Sequence, residues 1–199
     1  NLAGSNDGHG YVLIYADLSD ALPIFITEIA DPNNLANARF IELYNAGASP
    51  IDLSAGWALQ RWTNDAAIPQ AAEALLGTIE ANDFYIVCND ADVFEETYGL
   101  PCDQDIGRFG PSDSNGDDNI ALLDPNDDIA DLFGIPGEDG TNTPHEFEDG
   151  RAVRDVAVTS GTKIWLRSQW GIDNDSGLGL GARNAPADFN PGSWAGQMP

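Results

Sequence analysis

The chain has 199 residues, 33 of them Asp or Glu against 8 Lys or Arg, for a formal net charge of −25. That imbalance excludes docking on nucleic acid or anionic lipid through a basic face, because both surfaces would approach with the same sign. A hydrophobic share of 42% supports a packed core and excludes global disorder, the length suits one domain with an appendage, and no window is apolar for long enough to insert as a membrane span.

In chain order, "NLAGSNDGHGYVLIYADLSD" (1–20) comes first. It opens on Asn1 and shows no basic segment leading into an apolar one, so the sequence reads as a mature form. We divide the chain into an extension over 1–20 and a domain over 21–199. "YVLIYADL" (11–18) is a competent strand, with Tyr11, Val12, Leu13, Ile14 and Tyr15 as its assembly segment. Two fates are open to it. It can pair with an edge of its own sheet, or it can be donated head-to-tail to a neighbouring subunit, a contact that does not close and so builds a filament.

Strand signals follow: "FITEIA" (25–30), "RFIELYN" (39–45), "GWALQRW" (56–62), "FYIVC" (84–88), "IALLD" (120–124) and "IADLF" (129–133). Each is short, rich in β-branched or aromatic residues, and bounded by turn formers. In "RFIELYN", Ile41 and Leu43 point to one face and Phe40, Glu42 and Tyr44 to the other, the pattern of a half-buried strand. Together the segments predict an antiparallel sandwich or barrel. "ADVFEETYG" (91–99) reads as a helix capped by Asn89 or Asp90 and ended by Gly99, and "AAEALL" (71–76) as a single helical turn. Cys88 and Cys102 are the only cysteines. An even count at that spacing predicts a disulfide and an oxidising, extracellular location. From Gly134 onward the chain is loop-rich, yet Trp165, Trp170 and Trp194 need burial, so this third is expected to fold onto the sandwich.

The order of these segments resembles the lamin tail domain family, in its secreted bacterial form. "ITEIADPNNLANARFIELYN" (26–45) and "IDLSAGWALQRW" (51–62) carry the likeness, followed by "FYIVCNDADVFEETYGLPCDQ" (84–104), "NGDDNIALLD" (115–124), "IADLFG" (129–134), "EDGRAVR" (148–154) and "NPGSW" (190–194). The stretch covered is roughly 24–195, and Ala55 interrupts the family's Asp-Leu-Ser-Gly-Trp pattern. The resemblance implies an all-β, immunoglobulin-like antiparallel sandwich, here with one short helix and long C-terminal loops. It also implies an accessory role in secreted or surface proteins, with no catalytic residues defined.

The acidic clusters admit two readings. "DSNGDDNIALLD" (113–124) places oxygen donors Asp113, Asn115, Asp117 and Asp124 at the first, third, fifth and twelfth positions of a calcium loop. Asp118 stands where that loop needs Gly, and Asp124 where it needs a bidentate Glu. "DPNDD" (124–128), with Asn126 and Asp128, is turn chemistry first. "IDNDSG" (172–177) offers Asp173 and Asp175. Hard oxygen donors without His or Cys select Ca²⁺, so we expect Ca²⁺ as the cofactor at one or more of these loops. Catalysis finds less support. His9 lies in a Gly-rich tail, His145 is explained by packing or an exposed loop, and no Ser, Cys or Thr has a recognisable base partner. Trp62 and Trp170 are candidates for a sugar-stacking platform.

The sequence therefore reads as a non-enzymatic, extracellular structural or adhesive subunit. It would bind Ca²⁺ and self-associate by strand addition, with cell-surface or matrix polysaccharide as a possible ligand. The alternatives are a carbohydrate- or ligand-binding accessory module of a secreted hydrolase, and a divalent-metal hydrolase.

Overall fold

A computed structural model describes residues 22–33, 35–174 and 189–196. The segment 11–18 proposed for assembly, and Asp175, lie outside the described residues.

Two sheets pack face to face. The larger has the order β12-β11-β1-β2-β7-β8 and the smaller β10-β9-β4-β5, with β3 and β6 forming a separate pair. Here β1 is Ile24–Ala30, β2 Phe40–Asn45, β3 Ile51–Asp52, β4 Ala58–Trp62, β5 Glu73–Ala74 and β6 Thr78–Ile79. β7 is Phe84–Cys88, β8 Gln104–Asp105, β9 Asn119–Leu123, β10 Ile129–Phe133, β11 Arg151–Arg154 and β12 Trp170–Asp173. Every pairing is antiparallel except β7 with β8. The architecture is the expected immunoglobulin-like sandwich.

Alternation along the strands builds the core. Ile24, Ile26, Ile29, Ile41, Leu43 and Val87 of the larger sheet meet Leu59, Ile120, Leu122 and Phe133 of the smaller, with Trp57 and Trp170 in the same cluster. The one helix, α1 (Ala91–Tyr98), starts where Asp90 accepts a hydrogen bond from the Val93 N–H and stops at Gly99 in the left-handed conformation. A carboxylate satisfies the free N–H groups of the first turn, and glycine takes the left-handed turn without a Cβ clash.

Three expectations need correction. First, β2 is buried on both faces, not one. Its Phe40 face is covered by Phe94 and Tyr98 of α1 and by Phe189, and Tyr44 packs on Trp194. Second, residues 71–76 form no helical turn. Glu73 and Ala74 pair with Leu59 and Ala58, and the Leu75 N–H donates to Trp57 O. An unpaired strand edge beside the segment outweighs alanine's helical preference. Third, the loop-rich C-terminal third supplies two strands of the larger sheet, β11 pairing with β1 and β12 with β11.

A buried clasp ties the two sheets. Arg154 of β11 is paired through NH2 with Asp131 of β10, and neither side chain is exposed. Asp131 also accepts from the amides of Ile26 and Thr162, while Arg154 donates to Ile26 O and Gln169 Oε1 and lies 3.9 Å over the Trp170 ring. Each guanidinium nitrogen and each carboxylate oxygen of the pair has a partner, as a buried charge pair requires. Among the described residues no helix is long and apolar enough to cross a membrane.

Candidate functional site

The described residues proposed as calcium ligands are spread along the sandwich and do not surround one point. β9 is five residues long, so at about 3.3 Å per residue the six steps from Asp118 to Asp124 separate them by about 20 Å. A twelve-residue ion loop must curl, and an extended strand in its second half cannot. Among the described residues no group of three or more His, Cys, Asp or Glu side chains is gathered as a metal site.

Asp113, Asp117, Asp118 and Asp124 each have structural bonds of their own. Asp113 accepts from Arg39 NH1, Asn89 Nδ2 and the Phe109 N–H at 3.0, 2.8 and 2.9 Å. Arg39 also reaches Asp31 at 2.6 Å, so it joins the start of β2 to two loops. Asp117 Oδ2 accepts from the side-chain amides of Asn64 and Asn115, and the Asn64 amide also reaches Asp139. Asp118, fully buried, accepts from Arg61 and from the Asn64 N–H. Burial pushes the Asp118 carboxyl above its ordinary range, and Arg61 opposes that rise. Gly116 takes φ +101 between these acids, and a Cβ there would lie 2.2 Å from the Glu148 nitrogen. The glycine is required by the close approach of the two loops.

Asp124 belongs to the hairpin joining β9 and β10. Its Oδ1 accepts from the amides of Asn126 and Asp128, and Asp127 adopts φ +63. This is the turn chemistry of the second reading. Asp173 lies on β12, opposite Arg151.

The aromatic candidates are corrected. Trp62 is 8% exposed, packed with Ala58, Ala121, Leu123 and Leu132, and Trp170 is 4% exposed in the main core. Neither ring is open enough to form a stacking platform. His145 is buried, 3.0 Å from Thr143 Oγ1 and packed against Phe133 and Trp165, and burial lowers its basicity. The disulfide between Cys88 and Cys102 is present, pinning the end of β7 to the segment after α1.

The sequence reading missed a pair of glutamates. Glu28 and Glu42 are cross-strand partners on β1 and β2, 5% and 0% exposed. Glu42 accepts from Thr27 Oγ1 and the Gly192 N–H, both at 2.6 Å, and the latter bond holds segment 189–196 to the sheet. Glu28 faces Arg151 at 3.5 Å. Burial, then the facing Glu42, push the Glu28 carboxyl up to about 8, against Arg151. Burial pushes Glu42 up to about 7, against its two hydrogen bonds. The available signal was a glutamate at an interior strand position of both "FITEIA" and "RFIELYN", but burial of the second face had to be known to use it.

A two-sheet sandwich of this topology, with its described charged side chains largely engaged in structural bonds, defines an immunoglobulin-like domain. The Lamin Tail Domain family model matches residues 19–137, more than half of the chain, and the protein belongs to that family, whose domains are immunoglobulin-like and non-enzymatic. β11 and β12 fall beyond the matched stretch yet complete the larger sheet. No curated protein matches the chain in sequence.

Proposed function

We propose that this protein is an extracellular structural or adhesive subunit that self-associates by adding the strand at 11–18 to the sheet edge of a neighbour. The observation that carries the proposal is the β12 edge: among the described residues β12 pairs with β11 alone. An open edge offers main-chain groups to an added strand. The Cys88–Cys102 bridge fits an oxidising compartment. Ca²⁺ would act chiefly by screening repulsion between subunits that each carry a net charge of −25, since Asp113, Asp117 and Asp118 are already engaged by Arg and Asn side chains and Asp124 by its own turn.

Electron microscopy of the full chain with and without Ca²⁺, beside a variant lacking residues 1–20, tests this reading. Filaments or sheets that the deletion converts to a folded monomer support strand donation. An unfolded deletion variant assigns 11–18 to its own domain, and a full chain that stays monomeric at every Ca²⁺ concentration overturns assembly.

A further inference from the structure

The smaller sheet ends in β10 on one side and β5 on the other, and both edges are capped from within the chain. Along β10, the Leu132 N–H donates to Thr162 O and the Thr162 N–H to Asp131 Oδ1, so the segment leading to Trp165 covers that edge. Along β5, the Gln104 side chain accepts from the Leu76 N–H at 3.0 Å and donates to Ala74 O at 2.9 Å. Caps of this kind oppose main-chain pairing with another sheet, and they leave side chains as the surface on offer.

Those side chains are apolar on both edges. Seven large apolar side chains are exposed among the described residues, and five of them belong here. Ile164 (65% exposed) and Leu166 stand on the segment that covers β10, and Ile135 follows the end of that strand. Ile68 (81% exposed) and Leu76 stand on either side of β5 in the chain, where residues 70–75 run along β4 and the Gln70 N–H donates to Arg61 O. Single exposed apolar residues are ordinary, whereas their grouping marks an interaction surface.

The two edges differ in charge. Arg39, Arg61, Arg151 and Arg154 are ion-paired, whereas Arg108, Lys163 and Arg167 have no such pair among the described residues. Lys163 and Arg167 bracket Ile164 and Leu166, while exposed Asp65 and Glu73 accompany Ile68 and Leu76. Carboxylates neighbour the basic strip too. Asp155 accepts from the Ala157 N–H, Asp139 from the Thr141 N–H, and Glu146 shares a pocket with Arg167. Arg167 also donates to Trp170 O, which leaves Lys163 as the cation open to a partner. Arg61, the cation of β4, is buried against Asp118.

We propose that the two edges bind each other between copies of this chain, Ile164 and Leu166 of one against Ile68 and Leu76 of the next, with Lys163 facing Asp65 and Glu73. Different patches meet, so the contact is heterologous and propagates. A second copy suits the strip better than an acidic polysaccharide, because it brings aliphatic side chains together with carboxylates. Repulsion between the acidic copies is screened beyond about 8 Å at physiological salt, which spares pairs in contact. The contact is a second route to self-association and does not rest on strand donation, since residues 11–18 take no part in it.

The test treats the full chain, at about 1 mM to populate a contact of millimolar Kd, with a carbodiimide that joins an amine to a carboxylate without a spacer. Lys163 is the only lysine, so a link through a side-chain amine has one origin. Within one copy β10 and β5 lie three strand spacings apart, about 14 Å, too far for such a link. Peptide mass spectrometry of the dimer-sized product should find Lys163 joined to Asp65 or Glu73. Ile164→Ser and Leu76→Ser, both at exposed positions, keep the reacting groups and should each lower the yield about fivefold. No dimer linked through Lys163, links from Lys163 only to other acids, or serine variants with undiminished yield would overturn the proposal. Failure of strand donation is read separately, by electron microscopy of the chain lacking residues 1–20, and leaves this link in place.

Discussion

The acids crowded into 113–128 and the two glutamates facing each other across β1 and β2 carry the same functional group in opposite surroundings. In the first region carboxylates are crowded in sequence, and Asp113 finds Arg39, Asp117 finds Asn64 and Asp124 its own turn. In the second, two carboxyls distant in sequence are brought side by side under a helix and a C-terminal segment, with Arg151 as the cation at hand. Density of charge along the chain therefore marks turns in this protein, and perturbed ionisation follows burial in either region, at Asp118 as at Glu28 and Glu42. Desolvation explains the difference, because it raises a carboxyl only where packing removes water from every side.

The largest way to test that contrast is to break the buried clasp. Arg154→Met leaves Asp131 charged in a dry site, and urea unfolding should show a loss of about 3–5 kcal/mol, while the double change with Asp131→Leu should recover much of it. Recovery of nothing would mean that the pair's hydrogen bonds, not its uncompensated charge, dominate.

Next in size is the pH dependence of the glutamate pair. Both carboxyls are raised in the folded state, to about 8 and about 7 from an ordinary 4.5, so between pH 4.5 and 8 the folded chain holds protons that the unfolded chain has released. Stability should fall as pH rises through that window. The charged groups facing the pair are Arg151 on β11 and Asp173 on β12, with Asp31 and Tyr98 nearby, and raising the Tyr98 phenol keeps it neutral throughout. Glu42→Gln should flatten the slope measured by thermal melts across this range. An unchanged slope would place the titration elsewhere.

Smaller still is Asp124→Ala, which removes two turn hydrogen bonds and should cost about 1 kcal/mol in the same urea assay. A chelator should lower the melting temperature by the least amount, and added Ca²⁺ should restore it. Coincident melts would remove Ca²⁺ from the account altogether.

Much of the first 133 residues was legible in the sequence because the signals there are local. β7 and β10 match "FYIVC" and "IADLF" residue for residue, and α1 begins at Asp90 and ends at Gly99 as capping chemistry requires. The cysteines needed only spacing. The candidate site was less readable. Donor spacing at 113–124 matched an ion loop, but the same residues from Asn119 onward satisfy strand pairing with β4 and β10, and that pairing straightens them. Trp62 looked like a platform because its chain neighbours are polar, yet Leu123 and Leu132 come from strands far along the chain to cover it. Residues 71–76 chose a strand because β4 offered an edge, a fact that no local propensity contains.

By itself the sequence determined which segments extend, where the helix caps lie, which cysteines bridge, and that the surface is acidic, since each depends on residues within a few positions or on composition. Tertiary structure alone decided that β2 is covered on both faces, that Glu28 and Glu42 meet, and that segment 189–196 is held to Glu42 through the Gly192 N–H. Those outcomes depend on which distant surfaces exclude water from one another, and burial of that kind has no periodicity to read in the chain.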